Sequence, residues 1–201
     1  DLTLVASEPL IHKAMNIDWA ERGRLWVAET PEYPNGRRIQ NTTPWKDTGS
    51  LQPTRQARDP EDTISILSDA NRDGVMDRKH VFADKLELVT GFVFYRNSVI
   101  AATSPDLWYL EDTNKDEVAA KRTKLYTGLG IFDTHAVINN LRWGLDGWIY
   151  ATHGFSNTSH FAVRPENLRT TAKSAEDSKR GPVPKSGDPS AISAFSAVKS
   201  D

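Results

Sequence analysis

The chain has no cysteine among its 201 residues. That excludes disulfides, thiolate metal sites and cysteine nucleophiles together. No apolar run approaches the ~18 residues of a membrane-spanning helix, so no segment reads as a span. There is no basic excess either. The 25 Lys and Arg against 27 Asp and Glu leave a formal charge of -2, with no basic footprint for nucleic acid and no polybasic patch for a membrane surface. Aromatic residues are missing from one region only: all six Trp and all five Tyr precede Phe155, and Phe195 is the one aromatic after Val163. Ser, Lys, Pro, Ala and Asp fill that stretch, and they bury too little apolar surface to offset the entropy of ordering. Residues 1–155 therefore read as the folded domain and 156–201 as a flexible or out-of-context tail. The sequence shows no initiator Met and no signal peptide, and Asp1 reads as a processed or cut start.

What is present is a series of short strands punctuated by turns. The clearest pair lies within Phe132–Gly154, FDTHAVINNLRWGLDGWIYATHG. Apolar residues alternate on either side of a Leu145-Asp146-Gly147 turn. Antiparallel pairing puts the start of the first strand and the end of the second together, so His135 and His153 share one end. Earlier pairs are expected at 15–20 with 23–29, 63–69 with 78–84, 88–95 with 97–103, and 106–112 with 121–128. No helical period competes with them.

An internal repeat sits on this series. ISILSDANRDGVMDRKHVF and LWYLEDTNKDEVAAKRTKL superpose at an offset of 43 residues, with Asp69 on Asp112, Asn71 on Asn114 and Asp73 on Asp116. Four strands repeating every ~40–45 residues are the signature of a propeller blade. The expected fold is all-β, a partial β-propeller of about two and a half four-stranded antiparallel blades; an antiparallel sandwich is the alternative. Strand parity then sorts the loops. The acidic loops 69–77 and 112–120 fall at one end, while the insertion 30–62, His135 and His153 fall at the other.

SEPLIHKAMNIDWAERGRLWVAETPEYPNG and the His135 hairpin together resemble the membrane-bound dehydrogenase family of planctomycete-type bacteria, itself similar to the quinoprotein glucose/sorbosone dehydrogenase propellers. The resemblance covers residues 1–155. It implies a periplasmic or exported protein, membrane-associated at most through parts outside this chain. It also implies oxidation of a sugar or alcohol by hydride transfer to pyrroloquinoline quinone, with a cytochrome as a possible electron acceptor. The family's catalytic histidine precedes a strand ending in a G-x-D-G turn, which matches His135 ahead of Gly144-Leu145-Asp146-Gly147. An acidic residue directly precedes that histidine in the wider superfamily; here Thr134 does, with Asp133 one position further back.

His135 is thus the candidate general base, oriented by Asp133, against a bland reading as a loop histidine capping a strand. His153 is a candidate contact for cofactor or substrate. The insertion at 31–60 exceeds the ~12–15 residues of an ordinary connection. Its Arg37, Arg38, Arg55 and Arg58 form a possible clamp for carboxylates, and Tyr33 and Trp45 are possible stacking surfaces. Asp69, Asn71, Asp73 and Asp77 resemble the first half of a calcium loop, but His80 stands where a bidentate Glu would complete it. An Asp/Asn-rich hairpin turn explains the same residues without a metal. Trp19, Trp26, Trp108, Trp143 and Trp148 are expected to pack between sheets. Asn41 and Asn157 open glycosylation sequons. A non-catalytic propeller binding carbohydrate or protein is the competing class.

Overall fold

The computed structural model describes residues 2–37, 56–154, 157–160 and 162–163. The architecture is all-β. Strands β1 (Ala14–Trp19), β2 (Leu25–Glu29), β3 (Asp62–Ser68) and β4 (Arg78–Leu86) form one antiparallel meander, in spatial order β1-β2-β3-β4. Strands β5 (Val89–Tyr95), β6 (Ser98–Thr103), β7 (Asp106–Glu111) and β8 (Lys121–Thr127) repeat it. Strands β9 (Asn139–Trp143) and β10 (Ile149–Thr152) form a hairpin, the first half of a third unit. The result is a partial, propeller-like array of blades. Each predicted strand is present to within a few residues.

The described residues after 155 add one further element. A short strand, β11 (Ala162–Val163), pairs antiparallel with β8 through Thr127 and Tyr126, making the second sheet five-stranded. Backbone pairing along an open strand edge needs no apolar side chains, so composition could not reveal it. Residues 164–201 lie outside the described part.

Alternation along each strand explains how the sheets stack. On β6, Val99 and Ala101 point to one side and Ile100 and Ala102 to the other. The first pair joins Phe92 and Leu110 in a core shared with Trp26, Ile64, Ile66 and Phe82 of the first blade. The second pair joins Val93 and Leu107 against Leu141, Ile149 and Ala151 of the hairpin. Each fully buried side chain of this size contributes about 1.5–3 kcal/mol, whereas an exposed ion pair such as Lys85–Asp59 contributes about 0–1 kcal/mol. Apolar faces therefore hold the blades together. Among the described residues no sheet neighbours the far face of the first blade. Its Leu25, Val27, Leu67 and Met76 are covered by Val5, Ala6, Leu10 and Ile11 of the N-terminal segment.

Strand β5 packs against β1 on one side and β9 on the other, which makes β1, β5 and β9 the inner strands. Trp26 and Trp108 belong to the inter-blade core, as expected. Trp143 stacks on Tyr95 at 6.0 Å and donates to the Phe94 carbonyl at 2.8 Å. Trp19 departs from the expectation: it is 53 % exposed.

Candidate functional site

His135 sits in a 3₁₀ turn, Thr134–Ala136, between β8 and β9. Asp133 caps this turn. Its Oδ1 accepts from the His135 backbone amide at 2.9 Å and from His135 Nδ1 at 3.1 Å. The intervening Thr134 is buried; the tight turn brings Asp133 and His135 together across it. With Nδ1 donating to the carboxylate, Nε2 is left as the basic nitrogen, and the His135 side chain is 74 % exposed. The sequence-derived pair is therefore a real contact.

Two features fix its position. The Asn157 carboxamide grips the Asp133 backbone from both sides, accepting from its N–H at 2.9 Å and donating to its carbonyl at 2.7 Å. Gly154 donates to the Ala136 carbonyl at 2.9 Å. A Cβ at Gly154 would lie 2.4 Å from Ala136 Cβ, so only glycine allows this approach. Asn157 entered the sequence reading as a sequon, and no local pattern linked it to a residue 24 positions earlier.

Tyr33, from the insertion, meets His135 edge-on with ring centroids 5.6 Å apart. Parity had placed the insertion and His135 at the same end, and this contact realises it. Burial first, and then the Asp133 charge, raise the Tyr33 hydroxyl above its ordinary value. Beside the pair lies a cavity of about 250 Å³, reached by Met15 and Asn16 of β1, Thr90 of β5, and Asn139 and Asn140 of β9. Three inner strands thus contribute to one recess. Its polar lining is already braced: Thr90 Oγ1 donates to the Ile138 carbonyl, and Asn139 Oδ1 accepts from Thr152 Oγ1 at 2.6 Å. None of these recess residues, Tyr33 apart, was singled out from the sequence. Inner-strand polar residues look like ordinary strand positions until the blades are assembled.

His153 is at the same end but does not reach this recess. Its Nε2 lies 2.9 Å from Ser159 Oγ, and burial pushes its pKa below the ordinary imidazole value. It packs under residues 157–160, which fold back over the strand end. Arg37 is also committed elsewhere. Its Nε and Nη2 donate to Glu87 Oε2 at 3.1 and 2.9 Å, and Nη1 donates to the Arg58 carbonyl at 2.8 Å. Arg58 in turn pairs with the buried Glu32. Arg38, Trp45, Arg55 and Asn41 lie outside the described residues.

Below this network lies an acid that the sequence did not flag. Asp62 is completely buried, accepting from Val89 N at 3.2 Å and Glu32 N at 3.3 Å. Burial is the main cause that lifts its pKa to about 7, and the nearby Glu32 charge adds to it.

In the acidic loop, Asp69 Oδ1 accepts from Arg72 N at 2.6 Å and Asp69 Oδ2 from Gly74 N at 2.8 Å; Asp73 Oδ1 accepts from Val75 N at 2.8 Å, and Asp77 Oδ1 from Ala70 N at 2.9 Å. Asn71 Nδ2 donates to Asp73 Oδ2 at 2.9 Å. Backbone amides and one carboxamide engage these oxygens, the chemistry of an Asx-braced turn. Among the described residues no group of three or more His, Asp or Glu is arranged to hold a metal ion.

The quinone implied by resemblance is a tricarboxylate and needs cationic partners. Among the described residues lining the recess there is no Lys or Arg, and Arg37 is taken by Glu87. These residues do not fit that group.

Together the fold and site define a propeller-like all-β domain with a braced His–Asp pair opening on a polar recess. The chain belongs to the family of a domain of unknown function, DUF7133, whose profile matches residues 1–191. No curated protein and no solved structure matches the chain. Among the described residues no helix is long and apolar enough to cross a membrane.

Proposed function

We propose that the recess takes a hydroxylated small molecule, a sugar or an alcohol, and that His135 accepts its hydroxyl proton. The observation behind this reading is the 3.1 Å contact from His135 Nδ1 to Asp133, which keeps Nε2 basic and turned away from its carboxylate. Asp133 stabilises the imidazolium once it forms, and Asn157 positions Asp133. General-base help of this kind contributes about 10²–10⁴-fold. Carboxamides and a threonine around the recess supply donors and acceptors for hydroxyls, and Tyr33 offers a ring edge. The resemblance to quinoprotein dehydrogenases adds the other half of an alcohol oxidation, the loss of hydride. The described residues provide no clamp for that acceptor, so the proposal rests on the proton.

The test is dye-linked oxidation of a panel of sugars and alcohols by the full chain, with and without added pyrroloquinoline quinone. His135→Ala and Asp133→Asn are compared alongside substrate binding by calorimetry. We expect turnover to fall at least ~10²-fold in His135→Ala while binding is retained. Sugar binding without turnover, unaffected by His135→Ala, would overturn the proton-acceptor role and make this face a carbohydrate-binding surface.

A further inference from the structure

At the end opposite His135 a second cleft, of about 590 Å³, opens between the first two blades. It rests on no part of the dehydrogenase reading. Its size lies within the ~300–1,000 Å³ of small-molecule sites. The floor is aromatic. Trp26 packs on Phe82 at 4.7 Å between ring centroids and meets Phe94 edge-on at 5.3 Å. Trp19, 53 % exposed, stands at the mouth. Blade packing accounts for Trp26 and Phe82, which are buried, but not for Trp19.

The charges around this floor do not balance. Glu117 pairs with Arg24. The Asp112 carboxylate accepts from the backbone amides of Lys115 at 2.7 Å, Asp116 at 3.2 Å and Glu117 at 3.0 Å. The lining holds four cations, Arg22, Arg24, Arg96 and Lys115, against three carboxylates, Glu21, Asp112 and Glu117; with Arg24 paired to Glu117, the excess falls among Arg22, Arg96 and Lys115. Arg96 lies over the Tyr95 ring at 5.2 Å and, like Arg22 and Lys115, has no ion pair among the described residues. Two donors in the cleft wall, Arg24 Nε and Trp26 Nε1, are buried without an acceptor.

We propose that this cleft binds a small organic anion with a flat apolar body: an aromatic carboxylate, sulfonate or phosphate ester. The ring system would lie against Trp19 and Phe94, where stacking is favourable. The anionic group would meet the guanidinium groups of Arg22 and Arg96, whose planar forks match carboxylate and phosphate oxygens. Attraction to exposed cations is screened by salt, so affinity falls as ionic strength rises.

The test titrates naphthalene-2-sulfonate into the full chain, read by tryptophan fluorescence and calorimetry, with uncharged 2-naphthol as the comparison. We expect one saturable site that prefers the sulfonate. The double variant Arg22→Gln/Arg96→Asn should weaken sulfonate binding at least about tenfold and leave the weaker 2-naphthol binding unchanged. Asparagine is chosen because Arg96 has φ of 55°, a left-handed conformation that asparagine tolerates. Trp19→Ala, at a half-exposed position, should weaken both probes. Absence of a saturable site would overturn the proposal. So would sulfonate binding that survives the double variant, which would mark loose association with exposed apolar residues such as Ile17.

Discussion

The turns at Asp69–Asp77 and Asp112–Ala120 are two copies of one device with different neighbours. In both, the leading aspartate accepts from amides three and five residues on. In both, an asparagine donates to the aspartate two residues later, at 2.9 Å. The residue after that asparagine has φ of 64° in each. They differ in what they join. Ala119 N donates to the Phe82 carbonyl of the preceding blade at 2.8 Å; the equivalent Met76 N donates to the Val5 carbonyl at 2.7 Å. The N-terminal segment therefore does for the first blade what β4 does for the second. A blade needs an outer partner on this side, and an irregular strand-sized segment can supply it.

The largest break in this comparison should come from Phe82→Ala. It removes a ring that is 1 % exposed from the inter-blade core and should cost about 3–5 kcal/mol, read as a lower urea midpoint. Val5→Ala, on the partly buried counterpart, should cost about 1 kcal/mol. Equal losses would mean that the N-terminal segment is as deeply integrated as a blade.

A second contrast lies at the strand starts. Asp106 opens β7 with Lys124 Nζ 2.8 Å from its carboxylate, whereas Asp62 opens β3 with amides only and an acid nearby. Because the folded pKa of Asp62, about 7, is above its ordinary 3.8, the fold holds a proton there that the unfolded chain has released. Its contribution is intact below about pH 4 and is lost as pH rises toward 7, at about 1.4 kcal/mol per pH unit and a few kcal/mol in all. Asp62→Asn should flatten that slope in denaturation curves taken from pH 5 to 8. An unchanged slope would show that Asp62 is ionised throughout.

The smallest effects sharpen the turns themselves. Gly74 has φ of 92° with open space where a Cβ would stand, while Glu117 holds the equivalent place at φ of 68°. Gly74→Ala should cost about 1 kcal/mol in backbone strain. Glu117→Gly relieves that strain but loses the pair with Arg24, so its thermal midpoint should barely move. A large loss would assign the joint between blades to that ion pair.

These pairs also show what the sequence made legible. Strand alternation and the 43-residue repeat are local signals, and they located nearly every strand and both turns, while the family resemblance pointed to His135 with Asp133 two positions before it. The brace from Asn157 to Asp133, the capture of Arg37 by Glu87 and the docking of Val5 on Met76 each join residues far apart in the chain. No alternation or turn residue records such a contact. Arg37 and His153 had the right chemistry for ligands, but buried charged and polar groups take partners within the fold, and those partners were not visible in one dimension.

The docking of the N-terminal segment sets an order in time. Val5, Leu10 and Ile11 are synthesised before Leu25 and Val27, and their landing site is complete only when Leu67 and Met76 have followed. Until then those apolar residues have no native surface to cover. The second blade meets no such delay, because β4 is already made when Ala119 arrives. Residues 5–11 thus wait for Met76 before they can dock, and until then they stay open to chaperones and proteases while the ribosome is still at work.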